Sequence, residues 1–424
     1  MSRPRAAIVV TGSELVRGER TDRNGPFYAR EAQSLGLVPE RITIVGDDPA
    51  DLEAALRAAG AADVVLVSGG LGPTHDDRTV ELVAKVVGAP LEVDPELEAL
   101  IDGVSRSIAE RLGRPYADFA SGVTKQATIP AGAHVIGIAG TAPGLVVPGD
   151  TCAYVVLPGP PSELQRLWPA ALASAPVQAV LADTSPPARR ILRFFGASES
   201  AVARALAEAG GDGDGVEATI CARDFEIHVD LVIEHGAEAR AEALTAALRG
   251  PPLERYLFGE DERTVAELVL ELCRARELRI GTAESCTGGL VAARLTDVPG
   301  SSDVFAGGIV AYADAVKRDE LGVPATLISE HGAVSAEVAA AMATGVRDRL
   351  GVDVGIATTG VAGPGGGTEA KPVGLVHLHV SAPELGRGTE FSFPGDRDAI
   401  RTRATVAALH LARRILARSR HEVA

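Results

Sequence analysis

The chain has 424 residues and a formal net charge of −16; 46% of its residues are hydrophobic, 23% charged and 4% aromatic. At roughly 100–200 residues per domain, this length makes two to four domains with cores of their own and excludes wholesale disorder. The acidic balance argues against direct nucleic-acid binding, since no run of Lys and Arg with interleaved aromatics offsets it.

The first segment alternates short apolar strands with helices. Ala6–Val10 reads as a strand ending at Gly12, a helix follows from Asn24 to Leu35, and Arg41–Gly46 is a second strand. Asp48–Ala59 is a helix with Asp48 as N-cap before Pro49, Asp63–Gly70 is a third strand, and a helix starts at Thr79. This pattern predicts a mostly parallel sheet covered on both faces, with ligands beyond the carboxyl ends of its strands. Ala153–Leu164 reads as a strand, a Pro/Gly turn and a helix start. From about Pro176 the pattern becomes strand, strand, helix, a small α+β unit, with Gly211–Gly215 a turn and Gly250–Asp261 the connection onward. The last segment is α/β again. A helix over Arg263–Ala275 precedes the strand ELRIGTA, and a helix is expected directly from Ser285; FAGGIVAYA, DVGIATTG and KPVGLVHLHV are further strands before a long final helix. The domains are therefore expected at 1–170, 171–256 and 257–424.

Cys152, Cys221, Cys273 and Cys286 form no CxxC pair, which fits reduced thiols in a cytoplasmic protein. The opening MSRPRAAIVVTGSEL holds an apolar run too short for a signal peptide. No stretch is apolar over the ~18 residues that a membrane helix needs.

The junction AESCTGG is the most informative feature of the last segment. Ser285 stands where a strand hands over to a helix, so the amides of Cys286 and Thr287 can hold an oxyanion while Gly288 and Gly289 permit close approach. The same serine also reads as a plain N-cap. A serine nucleophile needs a base. His331, before a later helix, is one candidate, and Lys317, five residues after Tyr312, is a better one; alone, Lys317 also reads as a surface charge. TGVAGPGGG can offer amides to a phosphate or ribose, or be a flexible turn.

The motifs AESCTGG, AYADAVK, TGVAGPGGG with EAKPVG, and PGDRDAIRTRAT occur in this order over nearly all of 260–418. Together they resemble the C-terminal domain of the CinA family, the nicotinamide-nucleotide amidohydrolases. The resemblance implies a cofactor-free Ser/Lys deamidase of nicotinamide mononucleotide serving pyridine nucleotide salvage, with Ser285 as nucleophile, Lys317 as base and Tyr312 assisting through its hydroxyl. Around the substrate it implies Cys286, Thr287, Gly288, Thr359, Gly360, Gly363 and Gly366, with Arg397 and Arg401 toward the phosphate. Gly365 stands where the family often has an acidic residue.

A second set lies near the amino terminus: TGSELVRGERTDRN, SGGLGPTHDDRT, GTAPGL and LPGPPSEL. Glycines and hydroxyls at strand ends suit phosphate, and adjacent Asp76 and Asp77 suit Mg²⁺ or another divalent metal, with Glu14 or Glu163 adding a ligand or orienting water. Asp76 and Asp77 read equally as helix caps. Over about 5–165 these motifs resemble the MoaB/MogA-type molybdopterin-binding domain that heads full-length CinA proteins, a three-layer α/β fold. In part of that family the domain is a metal-dependent ADP-ribose pyrophosphatase. The resemblance places nucleotide at Gly12, Ser13, Glu14, Asn24, Ser68, Gly69, Gly70, Gly72, Thr74, Pro158 and Gly159. Two departures, Ser13 in place of an Asp and VIGIAG one residue short, favour nucleotide binding over efficient hydrolysis. A homodimer is the expected assembly. The competing readings are a non-catalytic nucleotide- or pterin-binding regulator linked to competence or DNA damage, and a molybdenum-cofactor enzyme.

Overall fold

A computed structural model describes residues 3–182, 184–383 and 385–418. The chain divides into two compact units, Met1–Ala188 and Arg189–Ala424.

The first unit contains β1 (Arg5–Thr11), β2 (Val38–Val45), β3 (Val64–Ser68), β4 (Leu91–Val93), β5 (Thr128–Pro130), β6 (His134–Ala139), β7 (Ala142–Pro148) and β8 (Ala153–Leu157). Its main sheet has the order β2-β1-β3-β8-β7-β6. The first four strands run parallel, β7 runs antiparallel to β8, and the edge strand β6 runs antiparallel to β7. Residues alternate between two cores, as the period of a strand demands. Ala7, Val9, Val65, Val67 and Val156 pack against Leu52, Leu56 and Ile101; Ala6, Ile8, Val10, Leu66 and Val155 pack against Tyr28, Leu164 and Trp168. The result is the expected three-layer, mostly parallel unit. The helix Pro49–Ala59 begins with the Asp48 side chain accepting from the amides of Ala50 and Asp51. The helices Pro95–Leu112 and Ala117–Ala127 were not legible beforehand. The first buries only Leu97, Ile101, Ser105 and Ala109, a stripe too narrow and too polar to stand out.

The second unit opens with β9 (Ala188–Phe194), β10 (Val216–Arg223), β11 (Glu226–Ile233) and β12 (Leu257–Gly259), a sheet of order β10-β11-β9-β12. The expected connection over Gly250–Asp261 thus contains a strand, β12, which pairs with Arg193 and Phe194. The next sheet holds β13 (Ile280–Glu284), β14 (Phe305–Val310), β15 (Val354–Gly360), β16 (Leu375–Ser381) and β17 (Gly386–Ser392), in the order β14-β13-β15-β16-β17. Strands β14, β13 and β15 are parallel; β16 and β17 are antiparallel additions. The helices Val265–Arg274 and Arg397–Arg418 cover one face through Val269, Leu270, Ala404 and Leu411. The helix Ala336–Leu350 covers the other through Val338, Met342 and Val346.

The first sheet of this unit meets the helix Arg397–Arg418 at Glu226, which is only 4% exposed. Its carboxylate accepts from Arg193 Nη2 (2.9 Å), His228 Nε2 (2.9 Å) and His410 Nε2 (2.7 Å), and His410 stacks on Phe195. Burial pushes the Glu226 carboxyl up, but the histidine hydrogen bonds and the Arg193 charge outweigh it and hold it well below its usual range. Among the described residues no helix is long and apolar enough to cross a membrane.

Candidate active site

Three parallel strands end side by side, and the residues after them build the site. Ser285 follows β13, Tyr312 follows β14, and Thr359 and Gly360 close β15. The Ser285 amide donates to the Thr358 carbonyl (2.9 Å), and the Ala311 amide donates to the Glu284 carbonyl (2.7 Å), so both flanking strands hold the serine in register. Ser285 is 8% exposed. Its hydroxyl makes no hydrogen bond among the described residues.

The helix expected from Ser285 starts later, at Leu290–Thr296, and Ser285–Gly289 is a tight turn. Ser285 is therefore not an N-cap; Gly289 takes that position with φ 98°, a conformation that favours glycine. The cause is Glu284, the acidic residue of the AESCTGG motif. Its buried carboxylate (1% exposed) accepts from the amides of Gly289 (2.9 Å), Val291 (3.0 Å) and Ala292 (2.8 Å) and from the Thr287 hydroxyl (2.7 Å). A carboxylate at a helix N-terminus satisfies donors that have no partner within the helix and complements its dipole. Thr287 Oγ1 also meets Thr358 Oγ1 at 2.7 Å, tying the turn to β15. The available signal was an acidic residue just before a Gly-rich helix start.

This arrangement decides which amides are open to a ligand. Those of Ser285, Gly288 and Leu290 are committed to backbone carbonyls, and those of Gly289, Val291 and Ala292 to Glu284. Among the described residues no oxygen accepts from the amides of Cys286 and Thr287, and the Cys286 side chain is a buried thiol, at best a weak acceptor. Burial pushes that thiol up to about 12, so it is neutral. The two amides expected to serve an oxyanion are thus the two not engaged to oxygen. Arg401, expected at the phosphate, instead grips this turn: Nε donates to the Cys286 carbonyl (3.2 Å) and Nη2 to the Thr287 carbonyl (2.9 Å). Gly288 lies exposed at the tip.

Lys317 is 2% exposed, not the surface charge that it also resembled. It sits on the helix Asp314–Leu321, and its Nζ donates to the Tyr312 carbonyl (3.1 Å) and toward Asp314 Oδ1 (3.4 Å). No hydrogen bond joins it to Ser285. The Tyr312 ring is largely exposed, and its hydroxyl accepts from Arg397 Nη2 (3.2 Å). The expected relay through that hydroxyl is not assembled in this conformation. Arg397 Nη1 also donates to the Gly363 carbonyl (2.7 Å), drawing the Gly-rich loop toward Tyr312. Gly365 and Gly366 are exposed beyond it. The Thr359 hydroxyl is turned away to the Ala333 carbonyl (2.8 Å), and His331 is exposed near Glu330 and Glu337.

In the first unit the expected nucleotide residues also converge on strand ends. The buried Asn24 side chain donates to Ser68 Oγ (2.8 Å) and to the Gly159 carbonyl (2.7 Å), and Ser68 Oγ donates to the Pro158 carbonyl (3.2 Å). Gly69 and Gly70 both have positive φ, and a Cβ on Gly70 would lie 2.2 Å from Thr79 Oγ1. Ser13 exchanges two hydrogen bonds with Asp47, its amide donating (3.1 Å) and its hydroxyl accepting (3.2 Å). Asp77 accepts from the Thr74 amide (3.0 Å), the single proton of the Thr74 hydroxyl lies between Asp77 (2.6 Å) and Asp76, and Gly72 packs beside Asp77. Both aspartates thus shape their own loop. Among the described residues no three His, Cys, Asp or Glu form a metal-holding group. The pair fits a hard divalent ion only if phosphate and water supply most of its ligands. Glu14 lies against Gly12 and Glu163 against Gly140, and burial raises the Glu163 carboxyl.

Residues 262–416 match the family described as CinA C-terminal domain, and residues 7–175 match the probable molybdopterin binding domain. A CinA-like protein of Mycolicibacterium paratuberculosis (strain ATCC BAA-968 / K-10) is 45% identical, covering 97% of this chain and 98% of that protein. One from Mycobacterium tuberculosis (strain CDC 1551 / Oshkosh) is 46% identical, with 97% of each covered. Among solved structures, a competence/damage inducible protein of Agrobacterium tumefaciens is 38% identical over 36% of this chain and 96% of that one, with a TM-score of 0.34.

Proposed function

The chain belongs to the CinA family, and from that premise we propose that its second unit deamidates nicotinamide mononucleotide to nicotinate mononucleotide and ammonia. One observation carries the reading. A serine hydroxyl with no hydrogen-bond partner among the described residues stands at the end of a central parallel strand, and a lysine is buried where the neighbouring strand gives way to its helix.

The chemistry follows from those groups. Lys317 swings its flexible stem from the Tyr312 carbonyl and, as the base, takes the Ser285 proton as Oγ attacks the carboxamide carbon. The carbonyl oxygen becomes an oxyanion before the amides of Cys286 and Thr287. Collapse of the intermediate breaks the C–N bond, and the Lys317 ammonium returns its proton to the leaving nitrogen, which departs as ammonia. Water, deprotonated by Lys317, then hydrolyses the Ser285 ester, releasing nicotinate mononucleotide and restoring the serine. The Gly363–Gly366 loop and Arg397 are the groups closest to hand for ribose and phosphate.

For the first unit we infer nucleotide binding, favoured by the junction that joins Asn24, at a helix start, to the glycine-bearing strand ends at Ser68 and Gly159. A second activity as ADP-ribose pyrophosphatase would use Asp76 and Asp77 to hold a divalent metal, which would neutralise charge on the pyrophosphate. Ser13 and Asp47, Asn24 and Ser68 would orient the loops around it.

The test of the main reading is product analysis with hydroxylamine present. Ammonia equal to the sum of nicotinate mononucleotide and its hydroxamate, with part of the acyl group captured by hydroxylamine, supports an acyl-enzyme. Turnover with no diversion at saturating hydroxylamine would point to direct attack by water and remove Ser285 as nucleophile.

A further inference from the structure

Arg401 was expected near the phosphate, but its guanidinium is occupied by the nucleophile turn. In a trans peptide the carbonyl and the following N–H point in opposite directions. Holding the Cys286 carbonyl toward the last helix therefore aims the Thr287 amide away from it. Holding the Thr287 carbonyl aims the Gly288 amide the opposite way, where it meets the Ser285 carbonyl at 3.2 Å. The turn is fixed from two sides, by the Glu284 carboxylate on its donors and by Arg401 on its acceptors.

We propose that Arg401 is a positioning residue for the deamidation, turning the Cys286–Thr287 peptide so that the Thr287 amide faces the oxyanion, and is not the ligand of the substrate phosphate. This rests on the amidohydrolase reading above. Arg401 draws two carbonyl dipoles toward a fixed positive charge and leaves the Thr287 N–H on the reacting side. Two parallel contacts from one planar group fix the orientation of the turn as a single contact cannot.

The experiment compares wild type with Arg401→Gln and Arg401→Lys on two substrates, nicotinamide mononucleotide and its phosphate-free nucleoside. In the expected result Arg401→Gln lowers kcat on the nucleotide by roughly 10²-fold, the scale of one lost oxyanion donor, with KM little changed. Any turnover of the nucleoside falls in proportion, and Arg401→Lys recovers part of the loss. A rise in KM confined to the nucleotide, with kcat intact, would overturn the proposal and return Arg401 to the phosphate.

A second readout does not depend on activity. Cys286 is 4% exposed, whereas Cys221 is exposed and labels in every variant. Iodoacetamide labelling mapped by peptide mass is expected to leave Cys286 untouched in wild type and to reach it in Arg401→Gln. Equal protection of Cys286 in both would show that Arg401 does not hold the turn. A wild type that binds neither substrate would sink the amidohydrolase reading, while the labelling still decides whether Arg401 is the clamp.

Discussion

Lys317 Nζ donates to the main-chain carbonyl of Tyr312 at 3.1 Å, while the Tyr312 hydroxyl faces Arg397 at 3.2 Å. The lysine is therefore positioned by the backbone of the strand end, and the tyrosine side chain is directed toward the Gly-rich loop. Tyr312→Phe should keep kcat within about 10-fold of wild type, below the usual 10²-fold or more for a proton-transfer group. Tyr312→Ala should raise KM by removing the exposed ring. Steady-state ammonia release checks both, and a loss of kcat beyond 10²-fold in Tyr312→Phe would restore the hydroxyl to the proton relay.

Glu284 is the side chain on which the turn depends. Removing it orphans three amides and loosens Thr287 from β15. Glu284→Ala is expected to destabilise the second unit by about 2–4 kcal/mol, since each stranded buried donor has its own cost. Glu284→Gln should lose less, because its amide oxygen still accepts. Urea unfolding checks this, and an unchanged midpoint in Glu284→Ala would show that the turn holds without it.

The parallel strands were legible because they are short apolar runs ended by glycines or hydroxyls, as at Gly12, Gly70 and Ser285. Their alternating burial into two cores confirms the three-layer reading of the first unit. The strand Val216–Arg223 was missed because it is largely exposed and alternates weakly. The late helix start after Ser285 was missed for a different reason. Pattern alone cannot show that a buried carboxylate at 284 will take the helix amides and displace the N-cap by several residues. The position of Arg401 was equally hidden, for its backbone partners lie more than a hundred residues away in the chain.

The Glu226 and His410 contact makes the stability of the second unit depend on pH. Burial keeps His410 neutral and lowers its pKa to about 4, against an ordinary value of ~6.5. As pH falls, the unfolded chain takes up this proton first, so the contribution is complete above pH ~6.5 and is lost on the way down to about 4. Glu226, also held below its usual range, loses its share at lower pH in the same direction. Urea midpoints between pH 7.5 and 4 (roughly the span of the His410 transition) should fall for wild type and fall less for His410→Gln, which keeps a donor to Glu226. Parallel slopes for the two would exclude His410 as the source.

Metal removal should separate the two units. Deamidation by Ser285 and Lys317 uses only protein groups, so EDTA is expected to leave ammonia release unchanged. Any ADP-ribose cleavage by the first unit should disappear with EDTA and return with Mg²⁺. Loss of ammonia release on chelation, with recovery on adding metal, would contradict a Ser/Lys mechanism.

The most direct measurement is ammonia release from nicotinamide mononucleotide by the full chain and by Ser285→Ala at equal concentration. The expected result is turnover by wild type and a loss of at least roughly 10³-fold in Ser285→Ala, as when an activated nucleophile is removed. Full activity in Ser285→Ala, or none in folded wild type, would contradict the role assigned to Ser285.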